Sequence, residues 1–195
     1  MKTLETQRLL LSAWRKKDAA DLYEYAKNPN VGPHAGWKPH GDVKESRQII
    51  KTLFIPNGVW AIRDRESGRA IGTISLKKTN TGRESAAGIG IFAFRGILGK
   101  RLMTEAAKEV IRYGFEEMGL EMISICTGPE NRRSQNVIRK MWLYLRRELR
   151  RAYKIYDGTI RDVLCHSLMK EEYCESHTDK NYRHEIEGEE NNGPE

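Results

Sequence analysis

The sequence predicts an α/β (α+β) domain, a mixed sheet with helices packed on it. Two helical segments come early, a cluster of strands follows, and the chain then runs strand, helix, strand, helix and hairpin. A glycine-led turn, Gly99-Lys100-Arg101, opens the best-patterned helix, in which Leu102, Met103, Ala106, Ala107, Val110, Ile111, Gly114, Phe115 and Met118 form one apolar face. A length of 195 residues with 38% apolar content suits one sizeable core and cramps two.

The elements follow in order. The segment from Leu4 to Trp14 reads as an opening strand, and Asp18 as the cap of a helix that runs to Lys27 and stops at Asn28-Pro29-Asn30. A loop rich in Gly and Pro, Val31 to His40, precedes a second helix over Val43 to Phe54, ended by Pro56-Asn57-Gly58. Val59 to Arg63 and Ala70 to Leu76 flank Glu66-Ser67-Gly68, which predicts a hairpin. Gly88 to Phe94 is a strand leading into the Gly99 turn. Gly119 ends the striped helix, Met122 to Cys126 is a short buried strand, and Asn131 caps a polar helix reaching Lys140. Tyr153 to Tyr156, the turn Asp157-Gly158, and Arg161 to Met169 close the domain as a hairpin.

The formal net charge of +7 is unevenly spread: from Cys174 onward there are seven acids and two bases, leaving 32 Lys+Arg against 20 Asp+Glu before them. A basic body suits a polyanionic ligand, an acidic substrate or RNA, and charge alone does not choose among them. The expected organisation is a domain over 1–173 and an acidic tail over 174–195. Ile186 is the tail's only aliphatic residue, so it has too little to bury and is expected to be disordered. The start lacks the apolar run of a signal peptide and no stretch reaches the roughly 18 apolar residues of a membrane span, so a soluble, cytoplasmic protein is expected. Three cysteines, Cys126, Cys165 and Cys174, show no Cys-x-x-Cys spacing, which argues for reduced thiols against a disulfide framework or zinc site. Cys126 is read as core, and His34 and His40 lack metal-ligand spacing, so no metal is expected.

The Gly99 turn carries chemistry. Backbone N–H groups at a helix start have no intrahelical acceptor and sit at the positive end of the helix dipole, so a turn without side-chain bulk receives a pyrophosphate. Arg101 stands where a second small residue would serve better.

Five segments in this order resemble the GNAT superfamily of acyl-CoA-dependent N-acyltransferases, specifically the branch that acetylates N-terminal amines of ribosomal proteins. They are Glu5-Thr6-Gln7-Arg8-Leu9, His34-Ala35-Gly36-Trp37, Leu102-Met103-Thr104-Glu105-Ala106, Asn131 to Ile138, and Leu149 to Gly158. The resemblance covers about Leu4 to Tyr173 and implies a twisted mixed sheet of about seven strands with about four helices. It further implies that the fourth and fifth strands splay apart to admit pantetheine. By that likeness Ile91, Phe92, Ala93 and Phe94 line the pantetheine, Gly99, Lys100, Arg101 and Leu102 meet the phosphates, and Asn131 and Ser134 lie near the thioester. Ser134 would protonate the leaving thiolate and Asn131 would position; their structural alternatives are a first-turn polar residue and a helix N-cap. His34 and Trp37 would shape the acceptor pocket, and Glu84 is considered as general base. The cosubstrate implied is acetyl-CoA, with an amine acceptor, a ribosomal protein among the candidates, no membrane, and homodimerisation left open. The alternatives are a catalytically weak family member and a basic RNA- or ribosome-associated protein using Arg146-Arg147-Glu148-Leu149-Arg150-Arg151.

The family's phosphate turn in this branch usually runs Glu-Tyr-Trp-Gly-Lys-Gly, where this chain has Gly96-Ile97-Leu98-Gly99-Lys100-Arg101. Encoded GGA ATA TTG GGG AAA AGG, that run reads as the family phrase once its first base is dropped. Met141-Trp142-Leu143-Tyr144-Leu145, encoded ATG TGG CTT TAT TTA, becomes Cys-Gly-Phe-Ile-Tyr under the same shift, and the family has Cys-Gly-Phe there. Residues 88–101 and 141–147 are therefore expected to be translated out of frame.

Overall fold

A computed structural model gives the fold over residues 1–33, 36–78, 86–93 and 101–176. One eight-stranded sheet runs in the order β1-β2-β3-β4-β5-β6-β8-β7. Its strands are β1 (Leu4–Glu5), β2 (Leu9–Ala13), β3 (Trp60–Asp64), β4 (Ala70–Lys78), β5 (Ala86–Ala93), β6 (Met122–Thr127), β7 (Tyr144–Lys154) and β8 (Ile160–Met169). Every neighbouring pair is antiparallel except β5 and β6. The mixed α/β architecture matches the expectation, with a two-residue β1 bringing the strands to eight.

The helices are α1 (Ala19–Ala26), α2 (Val43–Ile49), α3 (Leu102–Arg112) and α4 (Arg132–Arg139). α2 and α3 continue as wider turns over Ile50–Phe54 and Tyr113–Glu117, so both reach the lengths their sequence patterns predict. Among the described residues no helix is long and apolar enough to cross a membrane. The chain is helical again from 170 to 176, past the expected boundary at 173; the tail beyond, 177–195, lies outside the described residues.

Each sheet face carries its own core. On one, Leu102, Met103, Ala106, Ala107, Val110 and Ile111 of α3 bury against Leu9, Ile62, Ile74, Ile89, Ile123 and Leu168. Fully burying one such aliphatic side chain stabilises by roughly 1.5–3 kcal/mol, so this seam dominates the packing. Gly114 lets α3 approach closely: a Cβ there would lie 2.8 Å from Ile123 Cδ1 and 3.2 Å from Leu76 Cδ2. The other face packs α1 and α2 through Leu22, Tyr25, Ala26 and Ile50 onto Val59, Ala61 and Ala70.

Three expectations change. The opening strand is broken at Thr6, whose N–H donates to the Leu9 carbonyl (2.9 Å) and whose hydroxyl accepts from the Leu9 N–H (3.0 Å), so Leu4–Glu5 folds back on β2. Asp18 does not cap α1 with its side chain. It accepts from the Arg15 N–H (2.8 Å) and, within the α1 face of the sheet, from Arg63 Nη2 (2.6 Å) and Nη1 (3.2 Å). The run Tyr144 to Ala152 forms most of β7, an edge strand, where only Tyr153 onward is expected to pair.

Three non-glycine residues have left-handed backbones: Arg101 (φ 60), Trp142 (φ 58) and Arg151 (φ 49). Arg151 sits where the β7–β8 register shifts, its N–H donating to Asp162 Oδ1 (2.7 Å). Arg101 immediately precedes α3, and Trp142 follows α4 by three residues, between the buried Met141 and Leu143. A side chain in this region costs about 1–2 kcal/mol that glycine avoids.

Arg63 and Asp18 are each 5% exposed in their side chains, so neither charge has water to fall back on. Burial pushes the Asp18 carboxyl up, but the hydrogen bonds from Arg63 and Arg15 outweigh it and hold it below its ordinary value. That stabilisation is present above the unfolded carboxylate value of about 3.9 and disappears as the pH falls through the lower folded value. Asp18→Asn should lower stability at neutral pH by about 3 kcal/mol, since it strands a buried guanidinium. Urea midpoints measured from neutral pH down to acid should then fall less steeply for the variant than for the parent chain.

Candidate active site

β5 and β6 run side by side only briefly. Ala86, Ala87 and Gly88 pair with Met122, Ile123 and Ser124; beyond that β5 stays with β4 as far as Ala93 and β6 stays with β8 as far as Thr127. The facing edges of Ile89–Ala93 and Ile125–Thr127 are thus left out of the ladder, and a groove with backbone hydrogen-bonding walls opens between two strands of one sheet. Ile91, Phe92 and Ala93 lie on the wall formed by β5. Phe94, Gly99 and Lys100 lie outside the described residues, as do His34 and Glu84.

Arg101 and Leu102 stand at the start of α3, Arg101 exposed and Leu102 buried in the core. Glu105 fixes that start. It accepts from the Thr6 hydroxyl (2.5 Å), the Arg8 N–H (3.0 Å) and Arg8 Nε (2.7 Å). Burial pushes the Glu105 carboxyl up, and the bonds from Thr6 and Arg8 more than reverse it. Two sequence phrases far apart in the chain, Glu5-Thr6-Gln7-Arg8-Leu9 and Thr104-Glu105-Ala106, are therefore one contact.

β6 delivers the chain to Asn131, whose side-chain oxygen accepts from the Ser134 N–H (3.1 Å) and caps α4. The capping alternative is thus realised for Asn131. Ser134 is half-buried one turn in, and among the described residues its hydroxyl has no hydrogen-bond partner. Gln135 ties the approach, its Nε2 donating to the Pro129 carbonyl (2.6 Å).

On the α1–α2 side, Trp37 packs against His40 with ring centroids 5.2 Å apart. His40 is an internal anchor: its Nδ1 meets Ser46 Oγ at 2.8 Å and its N–H donates to the Ala26 carbonyl (3.0 Å). Burial pushes its pKa down against the opposing pull of Glu45. The loop bearing Trp37 reaches the β7–β8 hairpin, where the Tyr156 N–H donates to the Gly36 carbonyl (3.1 Å) and Arg161 Nη1 to the Pro33 carbonyl (3.0 Å). Gly36, at φ 88, leaves room for Tyr153, whose hydroxyl a Cβ would strike. Arg161 also pairs with Glu130 (3.6 Å), one residue before Asn131. One side chain therefore links the Trp37 loop to the α4 approach; sequence reading missed it because no spacing pattern announces a contact across 128 residues.

Cys126 is exposed, contrary to its reading as core. Desolvation of its sulfur, then the hydrogen bond with Cys165, push its thiol up to about 12, so it is overwhelmingly protonated at neutral pH and unsuited to attack on a bound thioester. Among the described residues no group of His, Cys, Asp and Glu is placed to hold a metal. In the arginine run, Arg146 is engaged by Glu172 (2.5 Å) and Ser167 (3.0 Å), leaving Arg147 and Arg150 exposed on β7.

The fold has counterparts among solved structures. An acetyltransferase of the GNAT family from Bacillus anthracis shares it with a TM-score of 0.79 at 20% identity, over 87% of this chain and 99% of that one. The ribosomal-protein-S5-alanine acetyltransferase of Vibrio fischeri superposes with a TM-score of 0.70 at 18% identity, over 87% and 97%. Residues 8–141 match the acetyltransferase (GNAT) domain family. The uncharacterized N-acetyltransferase p20 of Bacillus licheniformis is 30% identical over 179 residues, 89% of this chain and 99% of that protein. The chain belongs to the GNAT acetyltransferase family.

Glu105→Ala should remove the acceptor shared by Thr6 and Arg8 and lower stability by about 2 kcal/mol. Thermal melts of the single variants and of Glu105→Ala with Arg8→Ala test this: the double variant should lose less than the sum of the two.

Proposed function

We propose that this chain transfers an acetyl group from acetyl-CoA to a primary amine, either a protein N-terminal amine or a small amine. The observation that carries the reading is the groove between β5 and β6, immediately upstream of α3. Unladdered β5 backbone suits an amide-bearing arm such as pantetheine, and the α3 start, with Arg101 beside it, suits pyrophosphate. Bound acetyl-CoA supplies an activated thioester, and the chain supplies orientation and proton handling. Ser134 is the proton donor for the departing thiolate, and Asn131, rigid as a cap, holds the turn that presents it. Trp37 forms part of the acceptor wall, in a loop held by Tyr156 and Arg161.

Attack requires a neutral amine. An α-amino group, with a pKa of ~7.7–8.0 against ~10.4 for lysine, costs roughly 3–4 kcal/mol less to deprotonate at neutral pH. The likeness to a ribosomal-protein acetyltransferase points the same way, making an N-terminus such as that of a ribosomal protein the first acceptor to try. Titration calorimetry with acetyl-CoA should show saturable binding, and absence of heat up to millimolar ligand would overturn the reading. With binding established, thiol release should be faster with short peptides bearing a free N-terminus than with N-blocked lysine peptides, and Ser134→Ala should lower kcat with little change in the acetyl-CoA Kd.

We further infer that residues 88–101 and 141–147 are read one base out of frame. Support comes from the backbone: Arg101 and Trp142, two of the three left-handed non-glycine residues, stand where the shifted frame encodes glycine. At such sites Gly should beat Ala, the reverse of the usual order, so Trp142→Gly should be more stable than Trp142→Ala by about 1 kcal/mol in urea titrations. Sequencing the gene settles the frame itself: codons that cannot yield the shifted phrases end the idea.

A further inference from the structure

The face of β6 and β8 turned away from α3 carries two thiols that the transfer chemistry does not use. Cys126 and Cys165 are direct partners in the antiparallel register, with sulfurs 3.3 Å apart. Opposed residues in such a pair have Cα atoms roughly 4.5–5.5 Å apart, inside the range of about 4.4–6.8 Å that a disulfide spans. Bonding the sulfurs therefore needs side-chain rotation and no strand movement. Cys126 is exposed and Cys165 half-buried, so a small oxidant reaches the pair from solvent.

Position gives the pair a consequence. Cys126 lies two residues beyond Ser124, the last β6 residue paired with β5, and hence on the free-standing part of the groove wall. Ile123 and Ile125 face the α3 core, so by strand alternation Ser124 and Cys126 point to the opposite face. Arg147 of β7 stands opposite Cys165 and contributes a positive field at Cys126; His166 is buried, adjacent in sequence and on the opposite face.

We propose that Cys126 and Cys165 are a reversible dithiol–disulfide site that staples β6 to β8 and so limits how far the groove between β5 and β6 can adapt to a ligand. The oxidant class is a low-molecular-weight disulfide. The Cys165 thiolate attacks one of its sulfurs, forming a mixed disulfide and expelling one small thiolate. Cys126 then gives its proton to solvent and attacks the Cys165 sulfur, expelling the second small thiolate. One protein S–S bond forms, the oxidant is reduced to two thiols, and an excess of small dithiol reverses both steps. Cys126 offers little thiolate at neutral pH, and its intramolecular position, with the sulfurs 3.3 Å apart, offsets that scarcity in the second step.

The groove's role as the acetyl-CoA site rests on the proposed function, but formation of the bond does not. The full chain is treated with oxidised glutathione, alkylated under denaturing conditions and mapped by mass spectrometry, then returned to the reduced form with dithiothreitol. The expected result is a loss of two hydrogens, a Cys126–Cys165 linked peptide and alkylation of Cys174 alone. Cys126→Ser and Cys165→Ser should stop at a glutathione adduct or remain free thiols. Three alkylated thiols, or a link through Cys174, would overturn the proposal. Calorimetry on both forms then reads the consequence: the oxidised chain should bind acetyl-CoA roughly threefold or more weakly, and equal affinities would overturn the control of the groove. If the reduced chain binds no acetyl-CoA, the functional reading falls while the peptide map still decides the dithiol site.

Discussion

The burial of α3 against the sheet is the constraint on which the rest depends. β5 and β6 are parallel, so the chain must leave one end of the sheet and return at the other, and α3 makes that crossing. Its apolar stripe is buried by lying across the sheet, and Gly114 permits the close contact with Ile123. Thr6 and Arg8, reaching Glu105 from the β1–β2 turn, then fix where along the sheet the helix begins. Because that start is fixed and the strands on either side part after Gly88 and Ser124, the helix terminus and the groove keep a constant relation.

The opposite face solves a different problem, since it must hold charge inside and present a loop outside. Arg63 on β3 and Asp18 before α1 neutralise each other where the two helices cover the sheet. The Trp37 loop packs Val31 and Trp37 against the same core and is fastened further by a main-chain bond to the β7–β8 hairpin and by Arg161. Loops held at a few points keep their place while retaining small adjustments.

Where the signal is local, sequence reading finds the element. The stripe of α3, the β3–β4 hairpin and the Asn131 cap each follow from residues within a turn or two of one another. β7 escapes because its run Leu145-Arg146-Arg147-Glu148-Leu149-Arg150-Arg151 lacks the alternation of a half-buried strand, being an edge strand exposed almost throughout. Asp18 reads as a cap because its partner Arg63 is 45 residues away, and the thiol pair is hidden by a separation of 39. Of the site, Asn131, Ser134 and the α3 start were legible as polar or glycine-led punctuation. Arg161 and Glu105 act through long-range contacts and were not.

Arg101 and Trp142 test how local rules and the global fold are reconciled. A bulky residue avoids the left-handed region unless its surroundings impose it. At Trp142 they do: Met141 and Leu143 are both buried, so the backbone between them cannot relax without exposing one, and the indole is left to lie under Lys108 Nζ, 4.3 Å away. At Arg101 the buried Leu102 and the clamp on Glu105 hold the helix start in place in the same manner. The fold thus overrides both residues, and the two positions hold a backbone geometry that glycine would adopt at less cost.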